Sequence, residues 1–256
     1  MRSFIAQLVA AAVALAALLV APAAPAEATP TLTITRAASA LVETGDTVSF
    51  SGHAPSAAHG VALKLQRKTR KRGRWITVAS TRIAASGAWA ASGKATGSGT
   101  NYWRATYTRN GVATSSKTLS HKVYQWYYLT SYAMVDDSGS SEGSATIGGH
   151  RYEYSVHGTC CTADWAEYNV SYRCATLRAD IGIDDDSETG MRATFSMSAD
   201  GARTPLGTRG LGPSARVDVD IQSILRVRLT MEYPSTDYDG YGVFGNPRVL
   251  CAGEPA

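Results

Sequence analysis

The sequence predicts an all-β protein made of two sandwiches, and three observations support this. Strict alternation of apolar and polar side chains in Arg216–Ile221 and Leu225–Met231 is typical of half-buried antiparallel strands. Leu177–Glu188 has the pattern of a strand that runs into an acidic loop, and Phe195–Gly201 that of a strand closed by a turn. Convincing helical periodicity is absent from both halves of the chain. The strands named here are expected to form the core of the second sandwich.

The first 28 residues have the composition of a secretory signal peptide. Arg2 gives a basic start, Phe4–Val20 is apolar with Gln7 almost the only interruption, and Ala26–Ala28 provides a small-x-small end. An uncleaved anchor is the alternative, because about 17 apolar residues could just span a bilayer. No basic stop-transfer flank follows, which favours cleavage. We therefore expect a secreted, extracellular protein without stable membrane insertion.

Charge divides the rest of the chain into two halves. Residues 29–122 contain 14 Lys and Arg against two Asp and Glu, whereas residues 123–256 contain ten Arg, no Lys and 18 acidic residues. The change falls beside the polar segment Ser115–Val123. Two domains with different electrostatic roles, residues 29–122 and 123–256, follow from this division.

Short β-rich segments separated by Gly- and Ser-containing turns fill the first domain. About seven strands in some 90 residues are typical of an immunoglobulin-like sandwich. The pattern of Gly60–Arg67, Gly73–Trp75, Gly87–Trp89 and Tyr102–Ala105 resembles immunoglobulin-like modules of secreted bacterial proteins, which implies a spacer or adhesion role. Trp75, Trp89 and Trp103 are expected in the core. The predicted strands are Thr31–Thr35, Thr47–Ser51, Val61–Leu65, Trp75–Val78, Ala88–Ala90, Asn101–Tyr107 and Thr118–Val123.

One turn of the first domain is dense in cations. So much like charge cannot be buried unpaired, and we expect a solvated hairpin tip. The functional alternative is attachment to an anionic polymer, such as a cell-wall polymer or nucleic acid. Since no exposed aromatic platform or nucleic-acid motif is evident beside it, a specific nucleic-acid partner is not expected. The six cations are Arg67, Lys68, Arg70, Lys71, Arg72 and Arg74.

The second domain contains some nine or ten predicted strands in about 130 residues, which suggests a jelly-roll sandwich. The polar stretch Asp136–Gly143 is expected to be a loop. Besides the strands already named, the candidates are Tyr124–Leu129, Ser144–Ile147, His150–Val156, Trp165–Val170, Tyr241–Phe244 and Pro247–Cys251.

All four cysteines lie in the second domain. An even number in an exported chain predicts disulfides, and the paired spacing of a zinc site is absent. A bridge between the adjacent Cys160 and Cys161 would strain the peptide between them. We therefore expect each of these two to pair with Cys174 or Cys251, and the choice between the two patterns stays open.

Several motifs follow one another in order along the second domain. They are Tyr127–Ser131, Ile147–Gly149, Trp165–Val170, Leu177–Asp185, Phe195–Gly201, Val217–Val219, Leu225–Leu229 and Gly245–Val249. In this order they resemble the NPCBM/NEW2 family of carbohydrate-binding modules. The resemblance implies a galactose-binding-like jelly roll that binds sugars, often beside glycoside hydrolases. Two family motifs are altered, because only His157 matches a Gly-x-x-x-His-Ala segment and the closing Trp is replaced around Val243–Phe244.

Sugar recognition needs an aromatic face for the C–H surface of the ring and a few polar groups for the hydroxyls. For Trp165 and Tyr168 the alternative is a core or strand-face role, and for His157 it is an ordinary hydrogen-bonded histidine. Tyr233–Tyr241 is expected to be an exposed loop rich in turn residues. The candidate ligand-binding residues are Tyr152, His157, Trp165, Glu167, Tyr168, Asp237, Tyr238 and Tyr241, with Asp239 beside them.

The acidic stretch Asp184–Glu188 is a candidate calcium site, with Asp184, Asp185 and Asp186 as ligands. It lacks the spacing of an EF-hand, and the alternative is a solvated loop whose first Asp caps a turn. We therefore expect no obligatory cofactor.

The function expected from the sequence is non-catalytic. No zinc-hydrolase, nucleophile-elbow or Cys/His motif is visible, and bridged cysteines are not nucleophiles. Glycoside hydrolysis by carboxylates of the acidic stretch is the enzymatic alternative. We expect a secreted protein that attaches to a glycan or to the cell wall. The other alternative is a structural or protein-interaction module that has lost its sugar site.

Overall fold

Nineteen strands in four antiparallel sheets form the part of the chain that the computed structural model describes, residues 31–38, 41–159, 163–235 and 237–255. The only helical elements there are two 3-10 turns, Ser56–Ala58 and Leu129–Ser131, so the all-β prediction is confirmed. Within these ranges, no helix is long and apolar enough to cross a membrane. The predicted signal peptide, residues 1–28, lies outside the described residues.

Two sheets form the first sandwich. Their strands are β1 (Thr35–Arg36), β2 (Thr47–His53), β3 (Ala62–Lys68), β4 (Ile76–Arg82), β5 (Ala88–Lys94), β6 (Gly99–Arg109), β7 (Val112–Ser115) and β8 (Leu119–Val123). One sheet has the order β1-β2-β5 and the other β4-β3-β6-β7, with β8 also paired to β6. Alternation buries Phe50 of one sheet against Trp103 of the other, with ring centroids 4.7 Å apart. The first domain is therefore a β-sandwich, and its immunoglobulin-like character stays a prediction.

The three tryptophans of the first sandwich differ in position. Trp89 and Trp103 are buried in its core, as expected. Trp75 is only partly buried, precedes β4, and lies against the cations of Lys68 and Arg104. The expectation of a core role is therefore wrong for Trp75, because it stands outside the strand and is covered by long basic side chains from the outer side of the sheet.

Two larger sheets form the second sandwich. Their strands are β9 (Gln125–Tyr128), β10 (Asp136–Ser138), β11 (Ser140–Ile147), β12 (His150–Thr159), β13 (Asp164–Asn169), β14 (Cys174–Ile183), β15 (Arg192–Ala199), β16 (Ala202–Gly210), β17 (Ala215–Asp220), β18 (Arg226–Glu232) and β19 (Tyr241–Cys251). One sheet has the order β10-β13-β18-β15-β16, and the other β11-β12-β19-β14-β17 with β9 also paired to β19. Phe195 and Phe244 meet between the sheets, with ring centroids 5.3 Å apart.

The alternating runs Arg216–Ile221 and Leu225–Met231 lie in opposite sheets of this sandwich. β17 pairs with β14, whereas β18 lies between β13 and β15. Val227, Leu229 and Met231 of β18 are fully buried, and β17 is less completely covered. Both runs are antiparallel strands, as predicted.

Two expectations about strands of the second sandwich are wrong. Asp136–Gly143 is not a loop, because β10 pairs along the edge of β13 and β11 begins at Ser140. Tyr241–Phe244 and Pro247–Cys251 form one strand, β19, which continues through a register shift opposite β14. An irregularity of this kind lets Pro247 stand within a sheet. The strand β16 was not predicted.

A disulfide joins the ends of two neighbouring strands. Cys174 begins β14, Cys251 ends β19, and the antiparallel register places them opposite each other, where they are bonded. The expectation that each of these cysteines pairs with Cys160 or Cys161 is therefore wrong. Cys160 and Cys161 lie outside the described residues.

The two sandwiches meet at Tyr124, between the end of β8 and the start of β9. Its N–H donates to Val42 O at 2.8 Å, and its carbonyl accepts from Thr44 N at 2.8 Å. Residues 31–256 form one compact unit, within which each sandwich has its own core. The proposed boundary near residue 122 stays a prediction.

Candidate functional site

Two loops lie side by side at one end of the second sandwich. The acidic loop, residues 184–188, follows β14, and the tyrosine loop, of which residues 233–235 and 237–241 are described, leads into β19. Asp184 N donates to Tyr241 O at 3.0 Å, and Tyr241 N donates to Ser187 Oγ at 3.0 Å. Glu188 adds a further bond by accepting from Asp239 N at 3.0 Å. The acidic loop thus fixes the backbone on either side of Tyr241.

The acidic loop is also attached to the hairpin of β11 and β12. Asp185 accepts from Gly148 N and Gly149 N, both at 2.7 Å, and Asp184 Oδ2 accepts from Thr146 N at 3.1 Å. The φ angles of the two turn glycines are 57° and 77°, which a two-residue hairpin turn of this type requires. The carboxylates therefore act as hydrogen-bond acceptors for backbone groups.

These bonds bear on the candidate calcium site. Two of its three expected ligands, Asp184 and Asp185, already accept backbone N–H groups. Over the described ranges, no group of three or more His, Cys, Asp or Glu side chains is arranged to hold a metal ion. Calcium at this loop stays a prediction, and the geometry favours the alternative of a hydrogen-bonded loop.

The two loops and the β11–β12 hairpin enclose a groove of about 410 Å³, which we call the His157–Tyr241 groove. Tyr241 is 41% exposed, and the His157 ring stands edge-on to it with centroids 6.2 Å apart. The lining side chains are Ser141, Ser144, His157, Thr159, Asp184, Asp186 and Tyr241. One aromatic face, one imidazole, two carboxylates and three hydroxyls thus face a single space.

His157 is a half-buried side chain that lines this groove. Burial lowers its pKa, and the nearby Asp184 carboxylate partly opposes that shift. The imidazole is therefore neutral at pH 7 and has one donor and one acceptor nitrogen. Its position depends on Gly143, because a Cβ there would lie 3.2 Å from His157 Cε1.

Trp165 and Glu167 lie elsewhere, on the outer face of the sheet that contains β13 and β18. Glu167 forms ion pairs of 2.9 Å with both Arg226 and Arg228. The Arg228 guanidinium lies 3.7 Å from the centroid of the Trp165 ring. Glu167 and the two arginines line a separate groove of about 400 Å³. The Glu167 carboxylate is already engaged by the arginines, and one face of Trp165 by Arg228.

Tyr152 and Tyr168 are in the interior. Tyr152 is 4% exposed, and its hydroxyl lies 2.8 Å from Ser214 Oγ. Tyr168 donates to Glu142 Oε1 at 2.7 Å. Burial and, to a smaller extent, this hydrogen bond raise the pKa of its phenol. For Tyr168 this position favours the core alternative, and Tyr152 is likewise a core residue.

Tyr238 and Asp237 are exposed on the tyrosine loop. Asp237 accepts from Ser235 Oγ at 2.8 Å, so its carboxylate orders the loop. The Tyr238 ring packs over Gly190, where a Cβ would lie 2.7 Å from Cε1. These two residues stand on the loop that leads to Tyr241 but do not line the groove.

The groove hydroxyls of Ser141, Ser144 and Thr159 were not predicted as site residues. Ser141 stands opposite His157 in the register of β11 and β12, and Thr159 opposite Tyr241 in that of β12 and β19. The available signal was that Thr159 lies two positions after His157 and therefore points to the same side of a strand. Ser141 had no such signal, because its stretch was expected to be a loop.

Comparison with known proteins supports the relationship expected from the motifs. Residues 131–250 match the NPCBM/NEW2 domain, and the match does not extend to the first sandwich. A search of curated protein sequences finds no match. Among solved structures, a Kfla1895 mutant in complex with cyclobis-(1->6)-alpha-nigerosyl is 12% identical, with a TM-score of 0.23 over 80% of this chain and 31% of that chain. A two-domain structure of Extended-Synaptotagmin 2 is 8% identical, with a TM-score of 0.15 over 98% of this chain and 100% of that chain.

Proposed function

Given that residues 131–250 form an NPCBM/NEW2 domain, we propose that this protein is secreted and attaches, without catalysis, to a glycan or the cell wall. The glycan binds in the His157–Tyr241 groove. The observation that carries the proposal is the set of groups lining this groove, with an exposed tyrosine beside carboxylates, hydroxyls and a neutral imidazole. Secretion rests on the composition of residues 1–28.

The groove offers a sugar both kinds of contact that it needs. The exposed ring of Tyr241 provides an apolar surface for the C–H face of a pyranose. Asp186 accepts hydrogen bonds from sugar hydroxyls, and the Ser141 and Ser144 hydroxyls both donate and accept. The backbone of Tyr241 is held by Ser187 Oγ and Asp184 N, so little backbone ordering is left to oppose binding.

The same carboxylates give little support to glycoside hydrolysis. Asp184 is occupied by the N–H groups of Thr146 and Asp186, at 3.1 and 3.0 Å. Hydrolysis requires a pair of carboxyl groups, one of which delivers a proton to the leaving oxygen. Among the described lining residues, Asp186 is then the one groove carboxylate without a hydrogen bond that fixes it to the backbone. We therefore expect no release of reducing sugar from any polysaccharide that the protein binds.

The test is a titration of the protein against a panel of soluble glycans, with Tyr241→Ala as the diagnostic variant. Loss of the ring should weaken binding about tenfold or more, the range for a central aromatic contact. The matched control is Tyr172→Ala. Tyr172 is 59% exposed just before β14, whereas the groove lies beyond the other end of this ten-residue strand, roughly 30 Å away.

Either of two results would contradict the proposal. One is equal weakening by both substitutions, which would indicate a general surface effect. The other is wild-type protein that binds no glycan in the panel, which would favour the structural or protein-interaction alternative.

A further inference from the structure

The first sandwich has a sheet face covered by cations and hydroxyl groups. On β3, Leu63 and Leu65 point into the core, so Lys64, Gln66 and Lys68 point outward. The register sets Gln66 opposite Arg104 and Lys68 opposite Tyr102 on β6. We call the surface formed by Lys64, Gln66, Lys68, Trp75, Tyr102 and Arg104 the basic face.

Aromatic rings hold two of these cations in place. Lys68 Nζ lies 4.7 Å from the Trp75 ring centroid and 5.5 Å from that of Tyr102. The Arg104 guanidinium lies 4.3 Å from the Trp75 centroid, and its Nε donates to Gln66 Oε1 at 2.9 Å. Such contacts fix the side chains before any ligand arrives, so less rotamer entropy is lost on binding.

The cations of the basic face are not neutralised by carboxylates. All six ion pairs found among the described residues lie in the second sandwich. The two acidic residues of the first sandwich, Glu43 and Asp46, stand in the turn before β2. Beside Arg104 runs a groove of about 430 Å³, whose polar lining includes Lys64, Gln66, Thr106, Thr108 and Ser115.

The basic face changes the interpretation of the cation-rich hairpin between β3 and β4. Arg67 is not part of a solvated tip, because it turns inward and its Nη1 donates to Lys94 O, and burial lowers its pKa. Arg70, Lys71, Arg72 and Arg74 are exposed, as expected. Trp75 and Tyr102 lie beside the hairpin, but both rings are partly buried and contact the cations of Lys68 and Arg104, so they are not the exposed aromatic platform whose absence the sequence predicts.

We propose that the basic face binds an acidic polysaccharide, whose carboxylates pair with Lys68 and Arg104 while its hydroxyls bind the groove. Charge complementarity requires a polyanion. Trp75 and Tyr102 are engaged with cations rather than left as bare planes for stacked bases, which disfavours single-stranded nucleic acid. The choice of a polysaccharide also rests on the proposed function, since two domains that bind neighbouring glycans of the same surface gain avidity.

The experiment measures binding of the full chain to polygalacturonate at about 50 and 200 mM salt, the range over which counterion release is readily detected. The diagnostic variant is Lys68→Gln with Arg104→Gln. The matched control is Arg70→Gln with Arg72→Gln, which removes the same charge from the hairpin tip. We expect about a tenfold loss of affinity for the first variant and about threefold or less for the second. Arg104→Lys keeps the positive charge but removes the guanidinium group that donates to Gln66. This variant should also weaken binding several-fold.

Three results would overturn this proposal: no binding of wild-type protein to polygalacturonate, an equal or larger loss for the tip variant, or equally tight binding to single-stranded DNA of matched charge. Tyr241→Ala separates this proposal from the proposed function. It should leave most of the affinity for polygalacturonate while weakening binding to neutral glycans. A result that contradicts glycan binding in the His157–Tyr241 groove would therefore not be mistaken for one that contradicts polysaccharide binding by the basic face.

Discussion

His121 is a histidine whose ring is held against the core of the first sandwich. It stacks on Trp103, with ring centroids 5.9 Å apart. Neither ring nitrogen has a hydrogen-bond partner within the described ranges. Burial, with a smaller contribution from the charge of Arg36, lowers the pKa of His121 to about 4. The charged imidazolium is thus less favourable in the folded state than in the unfolded chain.

We predict that His121 makes the protein less stable in mild acid. Between pH 6.5 and about 4 the unfolded chain binds a proton that the folded state does not, so the free energy of unfolding falls as the pH decreases through this window. His121→Phe keeps a ring on Trp103 and should reduce the loss of Tm between pH 7.5 and 4.5. His53→Phe, at an exposed position on β2, is the control. If Tm falls between pH 7.5 and 4.5 as much in His121→Phe as in the wild-type protein, the acid sensitivity does not come from His121.

Individual residues of the site were predictable only where chemistry was enough to identify them. His157, Tyr241 and Asp184 were chosen as residue types that suit sugars or cations, and the structure brings them into one groove. The positions of Trp75 and Tyr168 depended on burial, which composition does not reveal. Trp75 lies outside its strand under two cations, whereas Tyr168 lies in the core on a buried hydrogen bond.

At the scale of elements, the acidic loop connects two parts of the second sandwich. Through Asp185 it holds the β11–β12 hairpin, and through Ser187 and Glu188 it holds the tyrosine loop. The position of Tyr241 relative to His157 therefore depends on a loop whose carboxylates bind backbone groups.

Asp185→Ala should destabilise the protein, because it leaves the N–H groups of Gly148 and Gly149 without their acceptor. Loss of such charge-assisted bonds costs about 1–3 kcal/mol, measurable by denaturant unfolding. Asp186→Ala is the matched control and should change stability by less than about 0.5 kcal/mol. Because Asp184 and Asp185 already accept backbone N–H groups, we expect EDTA and added calcium to leave the wild-type Tm unchanged. A calcium-dependent rise in Tm, lost in Asp185→Ala, would show that the loop is a metal site.

Strands could be predicted where apolar and polar side chains alternate and so mark a half-buried face. Strands that are defined only by their pairing with a neighbouring strand could not be predicted. β18 alternates strictly and has three buried apolar side chains on one face. β10 has three exposed residues and exists because it pairs with the edge of β13. The continuity of β19 and the Cys174–Cys251 bond both depend on the register with β14, which no local pattern specifies.

The whole molecule combines two surfaces with different expected responses to salt. The described ion pairs all lie in the second sandwich, whereas the first has 12 more Lys and Arg than Asp and Glu in residues 29–122. Attraction to a polyanion by the first sandwich should therefore weaken as salt increases. Binding in the His157–Tyr241 groove relies on a ring contact and hydrogen bonds, so it should be nearly independent of salt.

Glycan recognition by the second sandwich is tested most directly by retention of the full chain on insoluble polysaccharides and purified cell wall at low and high salt. Wild-type protein should stay bound to at least one glycan at about 500 mM salt, where the Debye length is only a few ångströms. Tyr241→Ala should be released under the same conditions. Retention that salt abolishes, with no difference between wild-type protein and Tyr241→Ala, would contradict glycan recognition by the groove and leave the basic face as the means of attachment.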